Sequence, residues 1–141
     1  MPVTSEATTT WTGSLAEGSG TVSFSSSKIG TFPIDWKARS EGSDSTTTPE
    51  ELIAAAHASC FSMALSHALS ENGTPPESVH SSASVTFKPG VGITGSHLNV
   101  NAVVPGLSAE DFQRIAEEAK TGCPVSQALA GIDITLEATL A

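Results

Sequence analysis

The sequence predicts an α+β fold with antiparallel sheet, and three observations carry that prediction. Short runs with apolar side chains two residues apart occupy the beginning and the later part of the chain, the spacing of strands with one buried face. Between them lies a capped apolar run of helical length. No internal repeat and no charged or proline-rich linker divides the 141 residues, so one domain spanning residues 1–141 is expected, with Met1–Ala7 as a loose lead-in.

Each element has its own warrant. Thr9–Gly13 around Trp11, Gly20–Ser25 with Val22 and Phe24, and Gly30–Ala38 with Phe32, Ile34 and Trp36 alternate as antiparallel strands do. Ser40–Thr48 is a polar loop. Thr48 as N-cap, Pro49 at the first helical position and Glu51 two residues later form a capping box that opens a helix. Asn72-Gly73 and Pro75-Pro76 stop it near Glu71. That helix is apolar nearly all round, through Leu52, Ile53, Ala54–Ala56, Ala58, Phe61, Met63, Ala64, Leu65, Ala68 and Leu69. A helix without a wet face is one that other elements surround. One small domain covers such a helix with difficulty, so an obligate homodimer whose chains wrap each other's central helices is expected. Strands resume at His80–Lys88 and Thr94–Val104. Ser108 with Asp111 opens a second helix that Gly122 closes, Pro124–Ala130 forms a short third, and Ile132–Leu140 is a last alternating strand.

Composition excludes several classes of function. Six Lys/Arg against 15 Asp/Glu give a net charge of −9, which repels phosphate backbones and anionic membranes, so neither nucleic acid nor membrane is an expected partner. Only 15% of residues are charged, and 21 Ser with 16 Thr supply the polar surface instead. The apolar run Leu52–Leu69 is interrupted by His57, Ser59, Cys60, Ser62, Ser66 and His67, which argues against a bilayer span. The first residues carry no basic and then apolar stretch of the secretory kind, and two cysteines are too few for a disulfide scaffold. A reduced, cytoplasmic setting is therefore expected.

Chemistry concentrates at few residues. Cys60 lies about three turns inside the apolar helix, where a cysteine is either inert filling or a thiolate that needs a cation or hydrogen-bond donors beside it. Cys123 precedes Pro124 and so caps the third helix. There its sulfur faces free backbone N–H groups, which by local physics makes it the more acidic of the two, unless it is a turn cysteine with no task. The two lie 63 positions apart, so only the fold can join them; one buried and one at a helix start suit a nucleophile and a resolving partner. Arg39 is either a surface residue at a strand end or the guanidinium that pairs with a thiolate. Glu51 belongs to the capping box. Glu50 favours the helix start and is also placed to orient Arg39. Ten residues of helix, roughly 15 Å, separate Glu50 from Cys60, so a site holding both with one arginine draws Glu50 from a partner subunit. His57 and His67 share the Cys60 face, as a Cys/His metal site or a base beside the thiol would require, but no acidic ligand falls on that stripe.

Thr48-Pro49-Glu50-Glu51-Leu52-Ile53-Ala54-Ala55-Ala56-His57-Ala58-Ser59-Cys60-Phe61-Ser62-Met63-Ala64-Leu65 closely resembles the central helix of the OsmC/Ohr family of thiol peroxidases. Gly122-Cys123-Pro124-Val125-Ser126 resembles that family's second cysteine motif, and His57 with Lys37-Ala38-Arg39-Ser40-Glu41-Gly42 points to the OsmC branch, osmotically inducible protein C. The resemblance implies an OsmC/Ohr-like fold, antiparallel sheets wrapped around long central helices in an intertwined homodimer with two interfacial sites. It implies reduction of organic hydroperoxides, with hydrogen peroxide a poorer substrate; a thiol-dependent peroxidase of this kind is expected to need no bound metal, flavin or haem. It assigns Cys60 as the attacking and Cys123 as the resolving cysteine, joined in a disulfide after oxidation, with Arg39 binding the thiolate and Glu50 as the family's glutamate. The reductant it implies is a dithiol, lipoyl-bearing rather than thioredoxin-like. Attack by Cys60 reverses the acidity order that helix-end physics gives; the full charge of a guanidinium against the half charge of a helix end accounts for the reversal. Two rival readings are a non-catalytic small-molecule-binding dimer with structural cysteines and a Cys/His metal-binding protein.

Overall fold

The computed structural model describes all residues from Met1 to Ala141. They form two compact units, Met1–Pro49 and Glu50–Ala141.

In the first unit, β1 (Thr8–Thr12), β2 (Ser19–Ser23) and β3 (Thr31–Ile34) pair antiparallel in the order β1-β2-β3. Gly20 stands opposite Trp11, and a Cβ there would press within 2.9 Å of the indole, so the close pairing requires glycine. Phe24 and Phe32 meet edge to face with centroids 5.8 Å apart. Before β1 the lead-in is tied by hydrogen bonds between Glu6 and Ser26. The alternation through Phe32, Ile34 and Trp36 does not continue as a strand: β3 ends at Ile34, and Trp36–Glu41 is a helix, α1. Asp35 is the cause, because its carboxylate accepts the Ala38 N–H at 2.7 Å and caps the helix. Gly42, at φ 92°, ends α1 by donating its N–H to Ala38.

The second unit is built on α2 (Pro49–Glu71), whose first helical residue is the expected proline. Its end is a Schellman turn: Thr74 donates to Leu69 and Gly73, at φ 81°, donates to Ser70. β4 (Ser78–Lys88) and β5 (Gly92–Val103) pair antiparallel. After α3 (Ala109–Gly122) and α4 (Pro124–Ala128), β6 (Asp133–Leu140) returns beside β5. It runs parallel to β5, so the expectation of a purely antiparallel sheet is corrected for this one pair. The two intervening helices make the crossover that a parallel pair needs.

Phe61, Leu65 and Leu69 of α2 share one core with Leu98, Val100 and Ala102 of β5 and Phe112, Ile115, Ala116 and Ala119 of α3. By length and composition α2 is apolar enough to cross a bilayer, yet its stripe His57, Phe61, Leu65, Leu69 is built into the protein. The rest of the helix is less enclosed than its composition leads one to expect. Ala55, Ala56 and Met63 are exposed, and Leu52, Ile53, Ala58 and Ala64 are half-buried.

Candidate active site

Within the second unit the fold brings Cys60 and Cys123 together. Cys60 sits in the middle of α2, and Cys123 is the single residue that ends α3 and caps α4. Both are free thiols, Cys123 fully buried and Cys60 half-buried. The two thiols are near enough that each shifts the other's ionisation, and the backbone of Val125 acts on both.

The surroundings push the two thiols in opposite directions. Burial raises Cys60 above its ordinary 9.0, and the bond in which it serves Cys123 raises it further; the Val125 N–H acts the other way and does not compensate. Burial also works against ionisation of Cys123. It is outweighed there by hydrogen bonds from Cys60, the Ser126 backbone N–H, the Ser126 hydroxyl and the Val125 N–H, so this thiol lies below 9.0. The order of acidity set by the second unit's own groups is the one that helix-end physics predicts from the sequence.

His57 lies one turn before Cys60 and is fully buried. Its ring is held at both nitrogens, Nδ1 at 2.6 Å from Ser96 Oγ and Nε2 at 2.8 Å from Ser126 Oγ. Burial lowers its pKa below 6.5, so the imidazole is neutral at neutral pH. Both nitrogens are thus engaged by serine hydroxyls, whereas His67 is exposed. Sequence reasoning missed Ser96 and Ser126. A signal existed: Ser96 alternates with Leu98, Val100 and Ala102 on the core face of β5, and a hydroxyl on such a face demands a partner.

The other two expected site residues stand in their own units. Arg39 lies in the last turn of α1 rather than at a strand end, half-buried. It lines an apolar cleft of about 170 Å³ with Trp11, Leu15, Ile34, Asp35, Trp36 and Pro49, all of the first unit. Glu50 lies in the first turn of α2, 5% exposed, and ten helical residues separate it from Cys60.

The chain is similar to known proteins in sequence and in fold. Residues 42–137 match the family model described as OsmC-like protein. The chain is 45% identical over 130 residues, 90% of each chain, to Peroxiredoxin OsmC of Escherichia coli (strain K12). Among solved structures it is similar to the organic hydroperoxide resistance protein OhrB of Bacillus subtilis, at 26% identity and a TM-score of 0.64 over 95% of this chain and 98% of that one. The OsmC-like protein of Mycoplasma pneumoniae superposes with a TM-score of 0.74 at 15% identity, covering 100% and 99% of the two chains, which speaks to fold alone. The chain therefore belongs to the OsmC-like protein family.

Proposed function

We propose that this protein is a thiol peroxidase that reduces organic hydroperoxides to alcohols. The observation that carries the reading is the pair of free cysteines, Cys60 and Cys123, near enough to shift each other's acidity, in a chain nearly half identical to a peroxiredoxin. The names of its relatives supply the substrate class, since the similar Bacillus protein is an organic hydroperoxide resistance protein.

The chemistry follows from two sulfurs that share a proton. Cys60 Sγ, as thiolate, attacks the distal oxygen of the hydroperoxide; the S–O bond forms, the O–O bond breaks, and alkoxide leaves. The alkoxide takes the proton held by Cys123 and departs as alcohol. The Cys123 thiolate then attacks the Cys60 sulfenic acid, expelling hydroxide, and the disulfide closes. Two thiols are oxidised as one hydroperoxide is reduced, with no metal, flavin or haem. A dithiol, for which a lipoyl-bearing protein is the candidate, reopens the disulfide by exchange in the reducing cytoplasm.

Cys60 is the weaker acid among its own unit's groups, so its attack needs a cation, and Arg39 is the residue proposed to supply it. Arg39 also meets charge growing on the peroxide oxygens, and Glu50 of the partner subunit orients it. The cleft beside Arg39, walled by Trp11, Leu15 and Trp36, supports an organic rather than a polar substrate. A homodimer is proposed because Met63 on α2 and Trp11, Leu15 and Phe32 in the first unit expose apolar surface that a second copy would cover.

The test is a single turnover. Reduced protein receives one equivalent of cumene hydroperoxide, and alcohol and disulfide are followed in the wild type and in Cys60→Ser, Cys123→Ser and Arg39→Ala. Cys60→Ser and Arg39→Ala should lose alcohol release, and Cys123→Ser should accumulate oxidised Cys60. Stoichiometric alcohol from Cys60→Ser would overturn the assignment.

A further inference from the structure

The two sulfurs that the proposed cycle joins differ in which molecules can reach them. Cys123 is 0% exposed and belongs to the core built with Phe112, Ile115 and Ala119 of α3. Its backbone is tied on both sides: the N–H donates to the Ala119 carbonyl at 2.9 Å, and the carbonyl accepts the Gln127 N–H at 3.0 Å. Uncovering this sulfur means parting α3 from α4, and Cys123 is the single residue between them. Cys60 packs against the same core from its margin and is only half-buried. Its neighbours one turn away on α2 are Ala56, exposed, and Met63, 73% exposed, so the sulfur borders the open side of the helix. A second copy of the chain can add cover there but cannot uncover Cys123.

Reduction of a disulfide is a displacement at one sulfur, with the other sulfur leaving. Attack on Cys123 requires a foreign thiolate to enter the core, whereas attack on Cys60 requires no opening of it. The leaving group agrees with the access. A thiol of lower pKa departs faster, and Cys123 is held below its ordinary 9.0 while Cys60 is raised above it.

We propose that a dithiol reductant attacks Cys60, the half-buried sulfur of the Cys60–Cys123 disulfide, and expels the enclosed Cys123, so that peroxide and reductant meet one side chain and Cys123 meets neither. The step rests on the reading above in which the two cysteines close a disulfide. One thiolate of the reductant bonds to Cys60 Sγ as the Cys60–Cys123 bond breaks, and Cys123 leaves with the electron pair and takes up a proton. The reductant's second thiolate then attacks the reductant's first sulfur and expels the Cys60 thiolate. The reductant departs as an internal disulfide, and two electrons have passed to the protein.

Two measurements test the order of attack. Wild-type protein is oxidised with diamide, which does not call on peroxidase activity, and mass spectrometry checks that the disulfide has formed. It then receives mercaptoethanol, a monothiol that performs the first exchange, and is quenched at once into denaturant with excess N-ethylmaleimide. Peptide masses should show mercaptoethanol on Cys60 and maleimide on Cys123, with the opposite pattern about tenfold rarer. Adducts on Cys123, or on both cysteines alike, would overturn the proposal. In the second measurement Cys60→Ser protein is treated with dithiodipyridine, a neutral disulfide reagent, both folded and in denaturant. Cys123 should react at least about tenfold more slowly when folded. Its lowered pKa would by itself speed the reaction, so slowness reports closed access, and an equal or faster folded rate would overturn the proposal as well. A wild type that forms no disulfide with diamide removes the cycle itself and this step with it, an outcome distinct from a disulfide opened at Cys123.

Discussion

At Cys60 and Cys123 a handful of donors give two identical side chains opposite acidities. Burial and the neighbouring Cys123 push Cys60 up, whereas Cys60, Ser126 and the Val125 backbone together outweigh burial and pull Cys123 down. Removing the Cys60 donor should therefore be felt at its neighbour: in Cys60→Ala, Cys123 should titrate at higher pH than in Cys60→Ser, which keeps an O–H, as thiolate absorbance would show. His57 makes a second prediction at this scale. Its folded pKa lies below the unfolded 6.5, so in acid the unfolded chain takes up a proton that the folded chain refuses. Stability is then intact above pH 6.5 and falls as pH drops from there toward the folded pKa. Denaturant midpoints measured across that range should show the fall in wild type and less of it in His57→Gln.

At the scale of elements, α2 is anchored by one stripe and capped by a turn that its sequence announces. Leu65 is fully enclosed between β5 and α3, so Leu65→Ala should cost about 2–5 kcal/mol in denaturant unfolding, the usual range for an enclosed leucine. At α1 the lesson is different. Apolar residues two apart through Trp36 mimic a strand, but one carboxylate offered to the Ala38 N–H turns the chain into a helix. Asp35→Ala should destabilise by about 1 kcal/mol, whereas Asp35→Ser should retain most of the cap. For α3 the same signal was legible and correct: Ser108 accepts from Asp111 N, as the spacing predicts. The difference lies in what surrounds the cap. Ser108 follows a break, while Asp35 interrupts a pattern that already reads as something else.

For the molecule as a whole, the apolar surface left on α2 is the outstanding fact. Met63 is 73% exposed on a helix whose opposite stripe is wholly enclosed. Met63→Glu should weaken the proposed homodimer, read as a lower mass by light scattering at micromolar concentration, while the circular dichroism of the fold persists. A monomeric wild type under the same conditions would remove the partner-subunit role given to Glu50.

The sequence by itself determined the start and end of α2, the N-cap of α3 and most of the strands, because caps, turns and periodicity act between near neighbours in the chain. It did not determine that β6 runs parallel to β5, since alternation carries the inward face of a strand and not its direction. Nor did it reveal that His57 would be held by Ser96 and Ser126, residues 39 and 69 positions away. Serines are common in this chain, and a hydroxyl becomes a partner only when packing carries it out of water beside a group with an unmet hydrogen bond. That meeting is made by the tertiary structure alone.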